Sequence, residues 1–282
     1  LPYHLLSLDV GITPALDAIP GAAEHGIAVK PIADFVQKYD ALMAAALRAN
    51  GPRRIAVVGG GAGGVELLLS LQGRVARMAG QAGLEPDRFT FALVTSGRLL
   101  ATHNGRVQEA FRRDLAGKGI ALHEETPVRA IEAAGLRLAD GEMIAADAVL
   151  VTTHASAPDW FAETGLALDE KDFIAVGPTL QSLDDPNVFA AGDCASMVET
   201  PREKAGVYAV RAGPPLARNL IAMAQGQEPE RWRPQKRHLA LITTGEKYAV
   251  ASRGAFKAEG AWLWHLKDWI DRRWMDRYRK PA

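Results

Sequence analysis

The sequence predicts an α/β fold, a parallel sheet covered by helices and followed by a region of different grain. Three observations carry this. The run RRIAVVGGGAGGVELLLSL, Arg53 to Leu71, passes from an apolar strand through a glycine-rich turn into an apolar helix. From there to Val151, short apolar runs alternate with segments of helical period, the pattern of βαβ units. Apolar residues make up 48% of the 282 and charged ones 23%, enough to bury a core and remain soluble.

Taken in order, YHLLSLDVG reads as a short strand ending at Gly11, and PALDAIPGAAEHGIAVKP as a connection without a clean period. Ile32, Phe35, Val36, Tyr39, Leu42, Met43, Ala46 and Leu47 recur at helical spacing, and Asn50-Gly51-Pro52 ends that helix. RIAVV is a strand, Gly64 to about Ala79 a helix, and FTFALV a second strand. RVQEAFRRDLAGKG is a helix stopped by glycine and followed by IALHEE. Short strands occupy LRLADGEMIAADAVLV, with Asp140-Gly141 as a hairpin turn. After Val151, NVFAAGDCA is a strand running into a loop. KAGVYAVRAGPPLARNLIAMAQG is helical, with Pro214-Pro215 the place where it could break. HLALITTGEKYAVASRG gives two strands joined around Gly245, and Trp262 to Lys280 is an aromatic, basic helix. No repeat of fixed period and no low-complexity segment interrupts this order.

Composition narrows the function. Thirty-three Lys and Arg balance 33 Asp and Glu, which argues against nucleic acid as the principal partner. Cys194 is the single cysteine, so neither an internal disulfide, a CxxC redox pair nor a cysteine-based zinc site can form. No apolar run approaches the roughly 20 residues of a membrane span. LPYHLLSLDVG lacks the basic region and cleavage site of a signal peptide. A cytoplasmic location is expected, with peripheral attachment to the inner face of the membrane left open.

Gly59, Gly61 and Gly64 form G-x-G-x-x-G between a strand and a helix. The first glycine permits a tight turn, the second lets backbone approach a diphosphate, and the third lets the helix pack closely. The helix's first amides, from Ala62 onward, would meet the negative charge. In this context the motif indicates dinucleotide binding, against the plainer reading of a glycine-rich structural turn. For the choice between NAD and NADP, an acid is sought about 20 residues on, at the end of the second strand. Glu85 and Asp87 lie before that strand, beside Pro86; Thr95 stands where the acid would be, and Arg98 follows. That pattern leans towards a 2′-phosphate, unless Arg98 is a solvated surface charge and either coenzyme binds. NVFAAGDCA is the second constellation: a strand ending in Gly192-Asp193 can set a carboxylate against a sugar-like hydroxyl, or simply cap a turn.

With these runs, the chain resembles the two-dinucleotide-binding flavoproteins of the pyridine nucleotide–disulfide oxidoreductase superfamily. Within it the likeness is to type II NADH dehydrogenase-like proteins, and closer still to the flavoprotein module fused to selenide, water dikinase. VVGGGAGGVE, TLQSLDDPNVFAAGDCA, PREKAGVYAVRAGPPLARNL and KDWIDRRWMDRY carry the resemblance over nearly the whole chain. It implies that Gly192 and Asp193 meet the ribityl region of FAD and that Lys204, Ala205 and Gly206 run along the flavin ring. It places Glu66 near the meeting point of nicotinamide and flavin. The plainer alternatives are a helix-start surface charge for Lys204 and a first-turn acid complementing the helix dipole for Glu66.

The resemblance also implies a Rossmann-like NAD(P)-binding domain inserted in a partial FAD-binding domain. The expected divisions are a first FAD piece at 1–30, the NAD(P) domain at 31–150, a second FAD piece at 151–228, and C-terminal strands and helix at 229–282. Gly11, Gly21 and Gly26 form no G-x-G-x-x-G, so the family's first FAD segment is expected upstream of this chain. Weak or absent flavin in the chain by itself follows from that expectation. His154, in TTHAS, stands where the family has a glycine, and Cys194 is read as a small packing residue.

In the tail, Trp262, Trp264, Trp269 and Trp274 share a helix with Lys267, Arg272, Arg273, Arg277, Arg279 and Lys280. Leu263, Leu266, Ile270, Trp274 and Tyr278 fall on one face, suited to a membrane interface or, more readily, to packing within the chain or a homodimer. Asp268, Asp271 and Asp276 dilute the positive charge.

The expected function is an FAD-dependent NAD(P)H oxidoreductase. Hydride would pass from nicotinamide to flavin and on to a small-molecule electron acceptor such as a quinone or a selenium compound. The other reading is a non-catalytic nucleotide-binding module partnering a selenophosphate-synthesising enzyme such as selenide, water dikinase. A flavin-free dehydrogenase ranks last, because no substrate acid/base pair is evident. No catalytic residue and no metal ligand is assigned.

Overall fold

A computed structural model describes residues 2–14, 16–153 and 155–279. The chain divides into two compact units, each made of two separated stretches. Leu16–Thr153 joins Leu239–Ala282, and Leu1–Ala15 joins His154–His238.

The larger unit is built on five parallel strands in the order Gly26–Ala28, Ala148–Val151, Arg54–Val58, Thr90–Val94, Ala121–His123. The central strands are covered on both faces, which is why RIAVV and AVLV are continuous apolar runs instead of alternating ones. Helices Ile32–Ala46, Ala62–Gln81 and Gly105–Gly117 make the crossovers. Asn104 starts the third helix by accepting hydrogen bonds from the amides of Arg106 and Val107. An antiparallel meander, Val128–Glu132, Gly135–Leu138 and Met143–Ala145, precedes the last parallel strand and turns at Asp140-Gly141 as expected. Asp147 then ties the sheet's lower edge: its carboxylate accepts from the amides of Arg53 and Arg54, each at 2.8 Å, and from the Arg54 guanidinium.

Gly26–Ala28 is the edge strand of this sheet, in a stretch read from sequence as a connection. Three residues are too few to show a period, and the partner, Val149–Val151, lies far along the chain. Consequently the first unit boundary falls near residue 15 and not at residue 30.

The C-terminal part adds an antiparallel sheet, Ala240–Thr243, Ala249–Arg253 and an unanticipated third strand, Phe256–Gly260. Ile242 and Val250 join the core formed by Leu68, Leu71 and Leu93, so this sheet belongs to the larger unit's interior. Gly245, with φ +81°, crosses so close to the helix Ala62–Gln81 that a Cβ would lie 2.2 Å from the Leu69 carbonyl oxygen. The final helix, Ala261–Arg279, docks through its first turns only: Leu263 is buried, whereas Ile270 and Tyr278 of the expected apolar face are exposed.

The smaller unit pairs Leu6–Leu8 with Val188–Ala190 and Ile174–Val176 with Ala195–Met197, both parallel, and Thr13–Pro14 antiparallel with Ala155–Ser156. Phe161, Phe173, Leu180, Phe189 and Cys194 form its core, capped by Ala212 and Leu216. The helix carrying these last two runs unbroken over Gly206–Ala224, through Pro214 and Pro215. Two prolines remove two backbone hydrogen bonds. Ala212, Pro215, Leu216 and Asn219 nevertheless share one buried face, and the Asn219 amide bonds Thr179 O, Glu230 O and Glu230 N. Packing outweighs the local loss. Among the described residues, no helix is long and apolar enough to cross a membrane.

Candidate functional site

Two constellations gather the residues singled out above, one in each unit.

In the larger unit, Arg54–Val58 delivers the chain into the turn Gly59–Gly61, and the helix Ala62–Gln81 leaves it. The three motif glycines meet three different surroundings. Gly59 has φ +126°, and a Cβ on it would strike Thr152 Oγ1 at 2.3 Å. A Cβ on Gly64 would lie 2.0 Å from the Gly59 carbonyl oxygen, so the helix could not sit this close to the turn. A Cβ on Gly61 would meet nothing within 4 Å. Gly61 is also the helix N-cap and has no side chain to offer the first amides. One face of the turn is therefore packed shut while the other is open, lined by main-chain N–H groups at the positive end of a 20-residue helix. On the packed side, beside Gly59, Thr153 Oγ1 is buried without a hydrogen-bond partner among the described residues. The open backbone cradle on the other side fits a diphosphate.

Gly59, Gly61, Ala62, Gly64 and Thr95 come together around this turn, whereas the Glu66 carboxylate is bound to Thr243. Thr95 is buried and packs on Gly60, where a Cβ would come within 2.7 Å of it. Glu66 lies one turn into the helix and accepts from the Thr243 amide at 2.8 Å and its hydroxyl at 2.9 Å. Its carboxylate thus cross-links the C-terminal sheet. Arg98 is exposed and stands 3.7 Å from Glu125, also exposed, so its charge is partly offset. Glu85 precedes, and Asp87 lies within, the short 3-10 turn Pro86–Arg88 before the strand Thr90–Val94, as the sequence suggested.

Sequence reading missed a strap behind the turn. Arg112 holds Glu124 by two hydrogen bonds of 2.6 and 2.8 Å, Glu124 accepts from the Leu99 amide at 2.6 Å, and the Leu100 amide donates to Gly60 O at 2.8 Å. The Arg112 guanidinium lowers the Glu124 pKa, an effect opposed by burial and reinforced by the Leu99 amide. Partners this far apart in sequence leave no local signal.

In the smaller unit, Gly192, Asp193, Lys204 and Ala205 line one cleft, and Gly206 begins the helix at its rim. Gly192 has φ +76°, and a Cβ there would lie 2.6 Å from the Asp9 carboxylate, another residue the sequence did not flag. Burial, then the charge of Asp193, raises the Asp9 pKa. Lys204 is not a free surface charge. Its Nζ donates to Ala195 O at 2.7 Å and sits 3.7 Å from the Phe173 ring centroid. Burial lowers its pKa, with the nearest opposing charge from Asp169. Arg202 stitches this loop to Pro234 O and Gln235 O, while Thr200 Oγ1 and Gln235 Nε2 are buried without partners among the described residues. Asp193, Lys204 and Arg202, which line the cleft, with the uncapped helix start at Ala205, fit a polar ligand. Cys194 is buried with its sulfur 3.3 Å from Leu8 O and 3.1 Å from Ala191 O; burial pushes the thiol to about 11. His154 lies outside the described residues. No group of three or more His, Cys, Asp or Glu among the described residues could hold a metal ion.

Residues 8–226 match the pyridine nucleotide-disulphide oxidoreductase family, to which the chain belongs. It is 27% identical over 183 residues to the type II NADH:quinone oxidoreductase of Haemophilus influenzae, covering 61% of this chain and 40% of that protein. It is 26% identical over 271 residues to demethylphylloquinone reductase NdbB of Synechocystis, covering 92% of this chain and 63% of the relative. The chain thus spans between about two fifths and two thirds of these relatives' length. In structure it resembles NDH2 from Plasmodium falciparum in complex with NADH, with TM-score 0.77, 13% identity and coverage of 92% of this chain and 71% of that one. It likewise resembles the sulfide:quinone oxidoreductase of Aquifex aeolicus, with TM-score 0.75, 16% identity and coverage of 97% and 68%. At these identities the structural likeness speaks for the fold.

Proposed function

We propose that this chain provides the nicotinamide-binding and part of the flavin-binding machinery of an NAD(P)H-dependent oxidoreductase of the type II NADH dehydrogenase kind, with a quinone as acceptor. In this reading the unit containing Gly59–Gly64 takes the reduced pyridine nucleotide, and the unit containing Gly192–Gly206 takes FAD. The observation that carries it is the asymmetry of the glycine turn: closed at Gly59 and Gly64, open at Gly61.

The turn amides and the helix end would bind the nucleotide's diphosphate. Asp193 would accept a hydroxyl hydrogen from a ribityl chain, and Lys204, held by Ala195 O, would supply a fixed cation at the head of the helix Gly206–Ala224. A flavin held there would supply the two-electron chemistry between reduced nicotinamide and a quinone, the quinol's two protons coming from the hydride and from solvent. Such a reaction needs positioning and exclusion of water more than a protein acid or base, in keeping with the lack of an assigned catalytic residue. The exposed Trp269, Ile270 and Tyr278, interleaved with Arg272, Arg273 and Arg277, suit contact with an anionic membrane surface, where a lipid-soluble quinone would be met.

Titration with NADH and NADPH, followed by NAD(P)H oxidation with added FAD and a soluble quinone, tests this reading. Gly61→Val is the decisive variant, because a Cβ at this position meets no protein atom within 4 Å and lies on the open face. It is expected to melt like the unsubstituted protein and to lose nucleotide binding by about a hundredfold or more, the scale of several lost charge-assisted hydrogen bonds. Unchanged affinity would remove the basis of the proposal. A selenium compound is the second acceptor to assay. Nucleotide binding without electron transfer to any acceptor would favour a non-catalytic module partnering a selenophosphate-synthesising enzyme.

A further inference from the structure

In the glycine turn, Gly60 is packed against Thr95, whereas a Cβ on Gly61 would meet nothing within 4 Å. Behind the turn, however, a continuous chain of contacts runs from an ion pair to the Gly60 carbonyl. Arg112, on the helix Gly105–Gly117, grips Glu124 with two nitrogens. Glu124 Oε1 receives the Leu99 amide at 2.6 Å, and the next amide, that of Leu100, donates to Gly60 O at 2.8 Å. Leu99 and Leu100 are both buried.

Two features mark this strap as more than loop packing. Leu100 has φ +50° and Glu125 has φ +52°, a left-handed conformation that costs a side-chain-bearing residue energy unless its surroundings impose it. The two strained residues adjoin the two ends of the Leu99–Glu124 hydrogen bond, and the Glu125 amide donates to Gly97 O at 3.0 Å, closing the strap from the other side. The second feature is direction. A trans peptide carries its C=O and N–H on opposite sides. Fixing Gly60 O towards Leu100 therefore turns the Gly61 N–H the other way, away from the strap.

We infer that Glu124 is a positioning residue for the glycine turn: held by Arg112, it anchors Leu99–Leu100 so that Leu100 orients the Gly60–Gly61 peptide and presents the Gly61 N–H to the diphosphate of a dinucleotide. This rests on reading the glycine turn as a dinucleotide site. Glu124 touches no ligand in this scheme and acts through the strap alone. Gln at this position keeps an oxygen for the Leu99 amide, whereas Ala removes it.

The test is calorimetric titration of NAD+ and of ADP-ribose into the unsubstituted protein, Glu124→Ala and Glu124→Gln. It is combined with thermal melting and with the Gly61 amide resonance followed through each titration. Glu124→Ala is expected to raise both dissociation constants roughly tenfold, the weight of one charge-assisted hydrogen bond. Glu124→Gln should recover part of that loss, since its oxygen still takes the Leu99 amide while its NH2 group stands against the Arg112 Nε–H. In the unsubstituted protein the Gly61 amide should shift on binding, and in Glu124→Ala that shift should shrink. Glu124→Ala binding as tightly as the unsubstituted protein would overturn the inference, as would a Gly61 amide that stays still while NAD+ binds. Should Glu124→Ala fail to fold, Arg112→Met, which leaves the Glu124 carboxylate without its grip, is titrated in its place: weakened NAD+ binding with a smaller Gly61 shift supports the inference, and unchanged binding overturns it. An unsubstituted protein that binds neither ligand defeats the dinucleotide reading itself, a result distinguishable from loss of the strap's role alone.

Discussion

Gly61 and Gly64 stand three residues apart and would respond oppositely to a side chain. At Gly64 a Cβ lands 2.0 Å from the Gly59 carbonyl oxygen. Gly64→Ala is therefore expected to destabilise the fold by about 1–3 kcal/mol, as overpacking against backbone does, with a lowered melting temperature in the absence of any ligand. Gly61→Val should show the reverse profile, an unchanged melt and lost binding. Cys194 gives a second residue-level test. Its thiol is buried and pushed to about 11, so at pH 8 it should resist alkylation in the folded protein and react at once when the chain is unfolded. Rapid modification of the native thiol would contradict the packing described here. The role of Cys194 was legible from sequence because a single cysteine with no second thiol to pair with has few other uses. Lys204 was not, since nothing in PREKAG tells whether an ammonium turns outward or folds back onto Ala195 O and Phe173.

At the scale of elements, strands and helices with a strong period were readable to within a residue or two, as with Ile32–Ala46, Arg54–Val58 and Ala261–Arg279. Gly26–Ala28, Ile174–Val176 and Phe256–Gly260 escaped because each is short and stabilised by a neighbour remote or weakly patterned in sequence. Pro214-Pro215 misled in the other direction, since local propensity argued for a break that burial of Pro215 and Asn219 overrides. The join between Arg54–Val58 and Ala148–Val151 carries a pH signature. Hydrogen bonds from the Arg54 guanidinium, then from the Arg53 and Arg54 amides, bring the Asp147 carboxyl from an ordinary 3.8 down to about 2. Because the folded value lies below the unfolded one, the contribution is complete above about pH 4 and is lost as pH falls towards 2. Asp147→Asn should lower the melting temperature near neutrality and flatten the acid limb of the stability curve between pH 4 and 2. Both groups are largely solvated, so added salt should shrink the difference. An acid limb identical in the two proteins would show that the carboxylate is not responsible.

For the whole molecule, each unit is assembled from two stretches that the chain visits at different times, so neither can be complete until the other's intervening segment has been threaded. Hydrogen exchange offers a test of the division of labour. NAD+ is expected to slow exchange at residues 59–64 in the larger unit, and riboflavin to slow it at residues 192–206 in the smaller one, since ligand binding to the native state protects the amides it covers. Protection by NAD+ confined to the smaller unit would reverse the assignment of the two constellations. By itself, the sequence determined the α/β class, the glycine turn and the Gly192-Asp193 strand end, because these depend on residue types and spacings within a single strand–turn–helix. Tertiary structure alone decided that Glu66 braces Thr243, that Asp9 lies against Gly192, and that Arg112 and Glu124 stand behind Gly60. Those contacts join positions far apart along the chain, and a hydrogen bond of that kind leaves no periodicity for a linear reading to detect.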